Sequence, residues 1–156
     1  MGFRHDSLIF DLDGTLWDSS GACALGWTEG VREVLSTDKK FTAEELGKIM
    51  GMTFADAVRV LVPTAPENDL ARIGQHCYQK EIEAIRRHGA SLYDGVAEGL
   101  VRLAQSYPLF LVSNCLEDYL ALFLNSSALG SLFKDSECHG RTGQAKAHNI
   151  HLVMQR

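Results

Sequence analysis

Two acids separated by one residue close an apolar run: Leu8-Ile9-Phe10 leads straight into Asp11-Leu12-Asp13, and Gly14-Thr15 follow. In an extended chain alternate side chains share a face, so the two carboxylates project the same way and repel unless something positive holds them. A cation is the natural answer. Further along, the apolar run Leu109-Phe110-Leu111-Val112 ends in Ser113-Asn114, and Lys146 opens a helical pattern. Taken alone, a serine after a strand is a turn residue and a lysine at a helix start is solvated.

The elements that must position these residues can be read from periodicity. A strand is expected over about residues 7–12 and a buried strand over 109–112, with a weaker one near Phe133–Cys138. Between the first two the pattern turns helical. Cys23, Trp27, Val31, Val34 and Leu35 recur at helix spacing, and Thr42-Ala43-Glu44-Glu45 is a capping box opening a helix through Met50. A short helix over 53–62 stops at Pro63, and a long one from Glu67 to about Arg87 lines up Leu70, Ile73, Cys77, Ile82 and Ile85 before Gly89. Helices over 95–106, over 117–126 and from about Ala145 complete the alternation. The fold class is therefore α/β, a Rossmann-like parallel sheet core with an inserted all-helical block. The core takes residues 1–17 and 90–156, and the insert takes 18–89.

Composition narrows the partners. The chain has 156 residues, is 46% hydrophobic and carries a formal charge of -5 without any Lys/Arg block. That balance argues against nucleic acid or an anionic membrane as the main partner. No apolar run approaches the roughly 20 residues of a membrane span, and the N-terminus passes directly into a strand instead of a signal-peptide pattern, so a cytoplasmic protein is expected. Cys23, Cys77, Cys115 and Cys138 are widely spaced with no CxxC, which fits reduced structural thiols better than a zinc site or disulfide framework. His76, His88, His148 and His151 read as surface or capping residues.

The segment Phe10-Asp11-Leu12-Asp13-Gly14-Thr15-Leu16, with Asp18 close behind, resembles the first motif of the haloacid dehalogenase superfamily. Leu111-Val112-Ser113-Asn114-Cys115 resembles its second motif, and Lys146 in Gly143-Gln144-Ala145-Lys146-Ala147-His148-Asn149-Ile150 its third. Order and spacing agree across nearly the whole chain. The helical insert is similar to the small cap of the phosphoglycolate-phosphatase and β-phosphoglucomutase branch.

The resemblance implies a role for each residue. Asp11 would attack the phosphorus of a phosphomonoester, and Asp13 would protonate the leaving alkoxide and then deprotonate the attacking water. Mg²⁺ would be held by Asp11 and the backbone carbonyl of Asp13, offsetting the phosphate charge, with Lys146 on the other side. Ser113, Asn114 and the backbone at Gly14 would cradle the phosphoryl oxygens. Asp18 near the hinge and the loop Gly51-Met52-Thr53 between two insert helices would bear on the leaving group. By residue pattern alone that loop is also a plain helix–helix turn. A small phosphorylated metabolite is the expected substrate.

Within the superfamily, keeping Asp13 favours phosphoryl transfer over dehalogenation, since a halide leaves without protonation. Thr15 fits a phosphatase better than a mutase, which is the enzymatic alternative. A phosphate-binding regulatory module that does not turn over is the non-enzymatic one. The pattern departs from the family at its end: a further acid ligand of the metal is expected in a strand after Lys146, and the chain stops at Arg156. The C-terminal strands of the core are read as missing from this chain, which would leave the first strand as a hydrophobic edge.

Overall fold

A strand that is apolar at every position is buried on both faces, the habit of a parallel sheet's middle strand. The computed structural model describes residues 6–156. In it Leu109–Ser113 (β4) lies between Leu8–Phe10 (β1) and Phe133–Cys138 (β5) in a three-stranded parallel sheet of order β1-β4-β5. Leu109, Leu111 and Val112 are wholly buried. The register sets Phe10 opposite Leu111 and Ser113 opposite Cys138, with an irregularity between Leu109 and Phe110 on the β5 side. Met1–His5, expected to lead into the strand without a signal-peptide pattern, lie outside the described residues.

The chain divides into two compact units, Trp17–Ser91 and the remainder, Met1–Leu16 with Leu92–Arg156. Between Val96–Ala104 (α5) and Glu117–Ser126 (α6) runs β4, and α6 carries the chain back for β5 to join in parallel. Past β5 come a short helix, His139–Thr142 (α7), and Lys146–Met154 (α8), which packs on β5 and β4. Phe123 at the centre of this unit is fully buried and stacks edge-on against Phe133, which meets Phe10 in the same way.

The other unit is helical: Ser20–Leu35 (α1), Ala43–Gly47 (α2), Phe54–Leu61 (α3) and Glu67–His88 (α4). Trp17–Asp18 (β2) and Ser91–Leu92 (β3) pair as a ribbon where the chain passes into and out of this segment. Helices α1 and α4 lie backbone against backbone. A Cβ on Gly26 would sit 2.5 Å from the Glu81 amide nitrogen, and one on Gly30 2.6 Å from the Cys77 Cα. Beside this contact Trp27 is wholly buried, donates from Nε1 to Glu81 Oε2 at 2.6 Å, and packs on Phe54 and Phe41. Burial pushes the Cys77 thiol up to about 12, with the Glu81 charge adding to the effect. The expected capping box is present, with Thr42 Oγ1 accepting from the Glu45 amide and Glu45 Oε2 accepting from the Thr42 amide.

Two boundaries and one element differ from the sequence reading. Strand β1 ends at Phe10, because Asp11 and Leu12 leave the ladder, Asp13 makes only an isolated bridge, and the chain turns from Gly14. Helix α2 ends at Gly47 and gives way to turns through Gly51; only Leu46 of its residues is buried, so little packing extends it. The ribbon β2–β3 was not anticipated, since two-residue strands leave no periodicity. Among the described residues no helix is long and apolar enough to cross a membrane.

The α1–α4 contact makes a two-signed prediction. Gly30→Ala should lower the unfolding free energy by about 1–3 kcal/mol, because the neighbouring backbone cannot yield. Gly21→Ala in the same helix, where an added Cβ meets nothing within 4 Å, should raise it by about 0.4–1 kcal/mol. Urea unfolding curves of the two variants check both signs.

Candidate active site

The carboxyl ends of parallel strands are where open α/β sheets gather ligands, and the acid pair lies just past β1. Leu12 is wholly buried while Asp11 and Asp13 on either side are half-exposed, so the alternation of a strand persists through the turn. Asp11 Oδ1 accepts from the Leu12 amide at 2.8 Å, which fixes the carboxylate against its own backbone. Gly14 then takes a φ of +69°, a conformation costly for other residues, and the amides of Thr15 and Leu16 return to the Leu12 carbonyl.

Lys146 supplies positive charge from 135 residues away in sequence: its Nζ stands 2.7 Å from Asp11 Oδ1. It is the first residue of α8, and the approach to it is tied down by Asn149, which is wholly buried. Thr142 Oγ1 donates to Asn149 Oδ1 at 2.8 Å and accepts from the Gln144 amide. Lysine position is thus set by a loop clamped from within its own helix.

Ser113 ends β4 almost fully buried, and its Oγ accepts from the Cys115 amide at 3.2 Å, an arrangement that leaves the hydroxyl proton to donate elsewhere. The Cys115 carbonyl accepts from the Gly140 amide at 3.0 Å, joining the loop after β4 to the loop after β5. Gly140 is obligatory there, since a Cβ would fall 2.5 Å from the Glu117 amide nitrogen. Arg141 spans the same junction, donating to Glu117 Oε1 and to the Ser136 carbonyl. The Cys115 thiol donates to the Cys138 sulfur. That bond, with burial, raises Cys115 well above its ordinary value, and the same bond brings Cys138 down to about 7 despite its burial, helped by Arg141.

The expected residues Asp11, Asp13, Gly14, Ser113, Asn114 and Lys146 all belong to the sheet-bearing unit, and an ion pair links the first of them to the last. Asp18, Gly51, Met52 and Thr53 belong to the helical unit. Asp18 Oδ1 accepts from the Ser20 amide, Gly51 takes a φ of +83°, Met52 is exposed, and Thr53 caps α3 by accepting from the Asp56 amide. Sequence reasoning missed Tyr119, whose hydroxyl donates to Asp13 Oδ1 at 2.5 Å. The available signal was a phenol in the first turn of the helix that follows Ser113-Asn114, on the face it shares with Leu120 and Phe123.

The donor set at the acid pair consists of hard oxygens, the Asp11 carboxylate and the Asp13 main-chain carbonyl, which suits a small hard cation such as Mg²⁺. Among the described residues no group of three or more His, Cys, Asp or Glu side chains could hold a metal ion.

Residues 8–156 match the haloacid dehalogenase-like hydrolases, and the chain belongs to that family. Its fold is similar to that of a haloacid dehalogenase-like hydrolase from Bacteroides fragilis, with a TM-score of 0.82 at 16% identity over 98% of this chain and 73% of the other. A predicted phosphoglycolate phosphatase from Haemophilus somnus gives 0.75 at 21% identity over 96% and 71%. A magnesium-bound hydrolase of the same superfamily from Bacillus subtilis gives 0.68 at 22% identity over 99% and 74%. No curated protein matches the sequence.

Lys146→Met should weaken binding of inorganic phosphate or vanadate while the melting temperature moves little, because a partly exposed ion pair contributes little to stability. Loss of one charged hydrogen bond, about 1.5–3 kcal/mol, corresponds to a roughly ten- to hundredfold rise in the dissociation constant. Isothermal titration of wild type and variant reads this directly, and equal affinities would show that the lysine is only a solvated neighbour of Asp11.

Proposed function

We propose that this hydrolase is a Mg²⁺-dependent phosphatase that acts on a small phosphomonoester through an aspartyl phosphate on Asp11. The observation that carries the reading is the ion pair of Lys146 with Asp11 at 2.7 Å, which brings an ammonium to an acid one residue removed from a second acid. A structural ion pair alone has no need of that second carboxylate two positions on.

The chemistry runs on this chain's own groups. A carboxylate oxygen of Asp11 attacks phosphorus and the ester P–O bond breaks, its electron pair going to the leaving oxygen. Asp13 gives that oxygen a proton, so an alcohol leaves. Asp13, now a carboxylate, takes a proton from water as the water oxygen attacks phosphorus, and the bond to Asp11 breaks to release inorganic phosphate. Throughout, Lys146 and the Ser113 hydroxyl hold phosphoryl oxygens, and Asn114 with its neighbouring amides extends the cradle. Loss of one such donor typically costs about 2.7–4 kcal/mol in the transition state. Mg²⁺, when bound at Asp11 and the Asp13 carbonyl, supplies the positive charge that lets a phosphate dianion approach two carboxylates.

Choice of the leaving group is assigned to the helical unit, through Asp18 and the Gly51–Thr53 loop. Within that loop Thr53 caps α3 and Met52 is exposed.

The full-length gene product should release inorganic phosphate from small phosphomonoesters with Mg²⁺, and Asp11→Asn should reduce the rate by roughly a thousandfold or more without loss of fold. Undiminished turnover in the variant removes the nucleophile assignment. Turnover that needs a bisphosphate primer indicates the mutase instead, and phosphate binding without release indicates a regulatory module.

A further inference from the structure

We infer that Tyr119 is a positioning residue for the acid–base step, orienting the Asp13 carboxylate through a hydrogen bond from its phenol. The inference rests on the acid–base reading of Asp13 given above. It goes beyond that reading by naming which group sets the angle at which the carboxylate meets the leaving oxygen.

The geometry is specific. Tyr119 and Asp13 are 106 residues apart in sequence, yet the phenol oxygen lies 2.5 Å from Asp13 Oδ1. The ring is almost fully buried, at 4% exposure, and its neighbours Leu120 and Phe123 are wholly buried, so the hydroxyl is delivered by a rigid helix face and not by a mobile surface side chain. Asp13 itself sits past the end of β1, at a single bridge position just before the turn that begins at Gly14. Proton transfer requires a heavy-atom separation near 2.6–3.2 Å and a suitable angle, and the phenol's hold on Oδ1 fixes that angle.

The placement also couples two functions. Ser113, which would hold a phosphoryl oxygen, and Tyr119 belong to one continuous segment that leaves β4 and enters α6. The Gly140 amide on the Cys115 carbonyl and Arg141 on Glu117 pin that segment from the β5 side. Phosphoryl oxygen and general acid are thereby referred to the same piece of backbone. An error in one is an error in both, which favours a fixed distance between them.

Leaving-group dependence separates this role from packing. p-Nitrophenolate departs without protonation, whereas the alkoxide of glycerol 3-phosphate needs a proton as the bond breaks. Tyr119→Phe keeps the ring and its packing and removes only the donor. In the full-length gene product, measured in the first turnover so that only formation of the phosphoenzyme is read, it should slow alcohol release from glycerol 3-phosphate roughly ten- to hundredfold, leave substrate affinity within about twofold, and change the burst rate of p-nitrophenol release by less than about threefold. Equal losses on both substrates, or no loss on either, would overturn the inference. Asp13→Asn, assayed on the same pair, tests the reading beneath it. If Asp13→Asn spares glycerol 3-phosphate turnover, the acid–base role itself is wrong. If it abolishes that turnover while Tyr119→Phe does not, only the positioning role of Tyr119 fails.

Discussion

Two carboxylates held one residue apart need a positive partner, and the sheet-bearing unit is arranged so that one reaches them. Asp11 and Asp13 follow directly on the first strand and Lys146 opens the last helix, so the ion pair between Asp11 and Lys146 depends on β1, β4 and β5 lying side by side in that order. Its contribution to stability is small, as both side chains are more than a quarter exposed. Its consequence on the proposed reading is chemical: an ammonium beside a carboxylate at the open end of a parallel sheet would be the place where a phosphate is received and attacked.

The supporting contacts explain why that arrangement holds without a large sheet around it. The loops after β4 and β5 are locked to each other by the Gly140 amide, by Arg141 and by the thiol pair Cys115–Cys138. Asn149 does the same for the turn that starts α8. The donors of the site are thus fixed by hydrogen bonds among loops, and the sheet supplies direction more than rigidity.

Much of this was legible before any coordinates. The apolar run of β4 and the alternation around Leu12 depend only on local pattern, and both appear as expected: Leu12, Leu111 and Val112 are buried while the acids flanking Leu12 reach solvent. The capping box at Thr42 and the stops at Pro63 and Gly89 are local chemistry too, and α2, α3 and α4 begin or end beside them. Tyr119 was not legible, because its importance lies in a partner 106 residues away. Cys115 and Cys138 read as separate structural thiols for the same reason; only strand pairing brings them together. Gly140 could not be distinguished from any loop glycine until the Glu117 amide was seen where its Cβ would be. Local pattern reveals elements, and the contacts that tune a site are long-range.

The central claim is that Asp11 becomes covalently phosphorylated. Rapid quenching of the full-length gene product during turnover of p-nitrophenyl phosphate with Mg²⁺, followed by borohydride reduction and peptide mass spectrometry, tests it most directly. An acyl phosphate is reduced to the alcohol, so the account predicts homoserine in place of aspartate at position 11 and at no other acid. Turnover that proceeds with Asp11 unmodified, or with the label on Asp13, would contradict it.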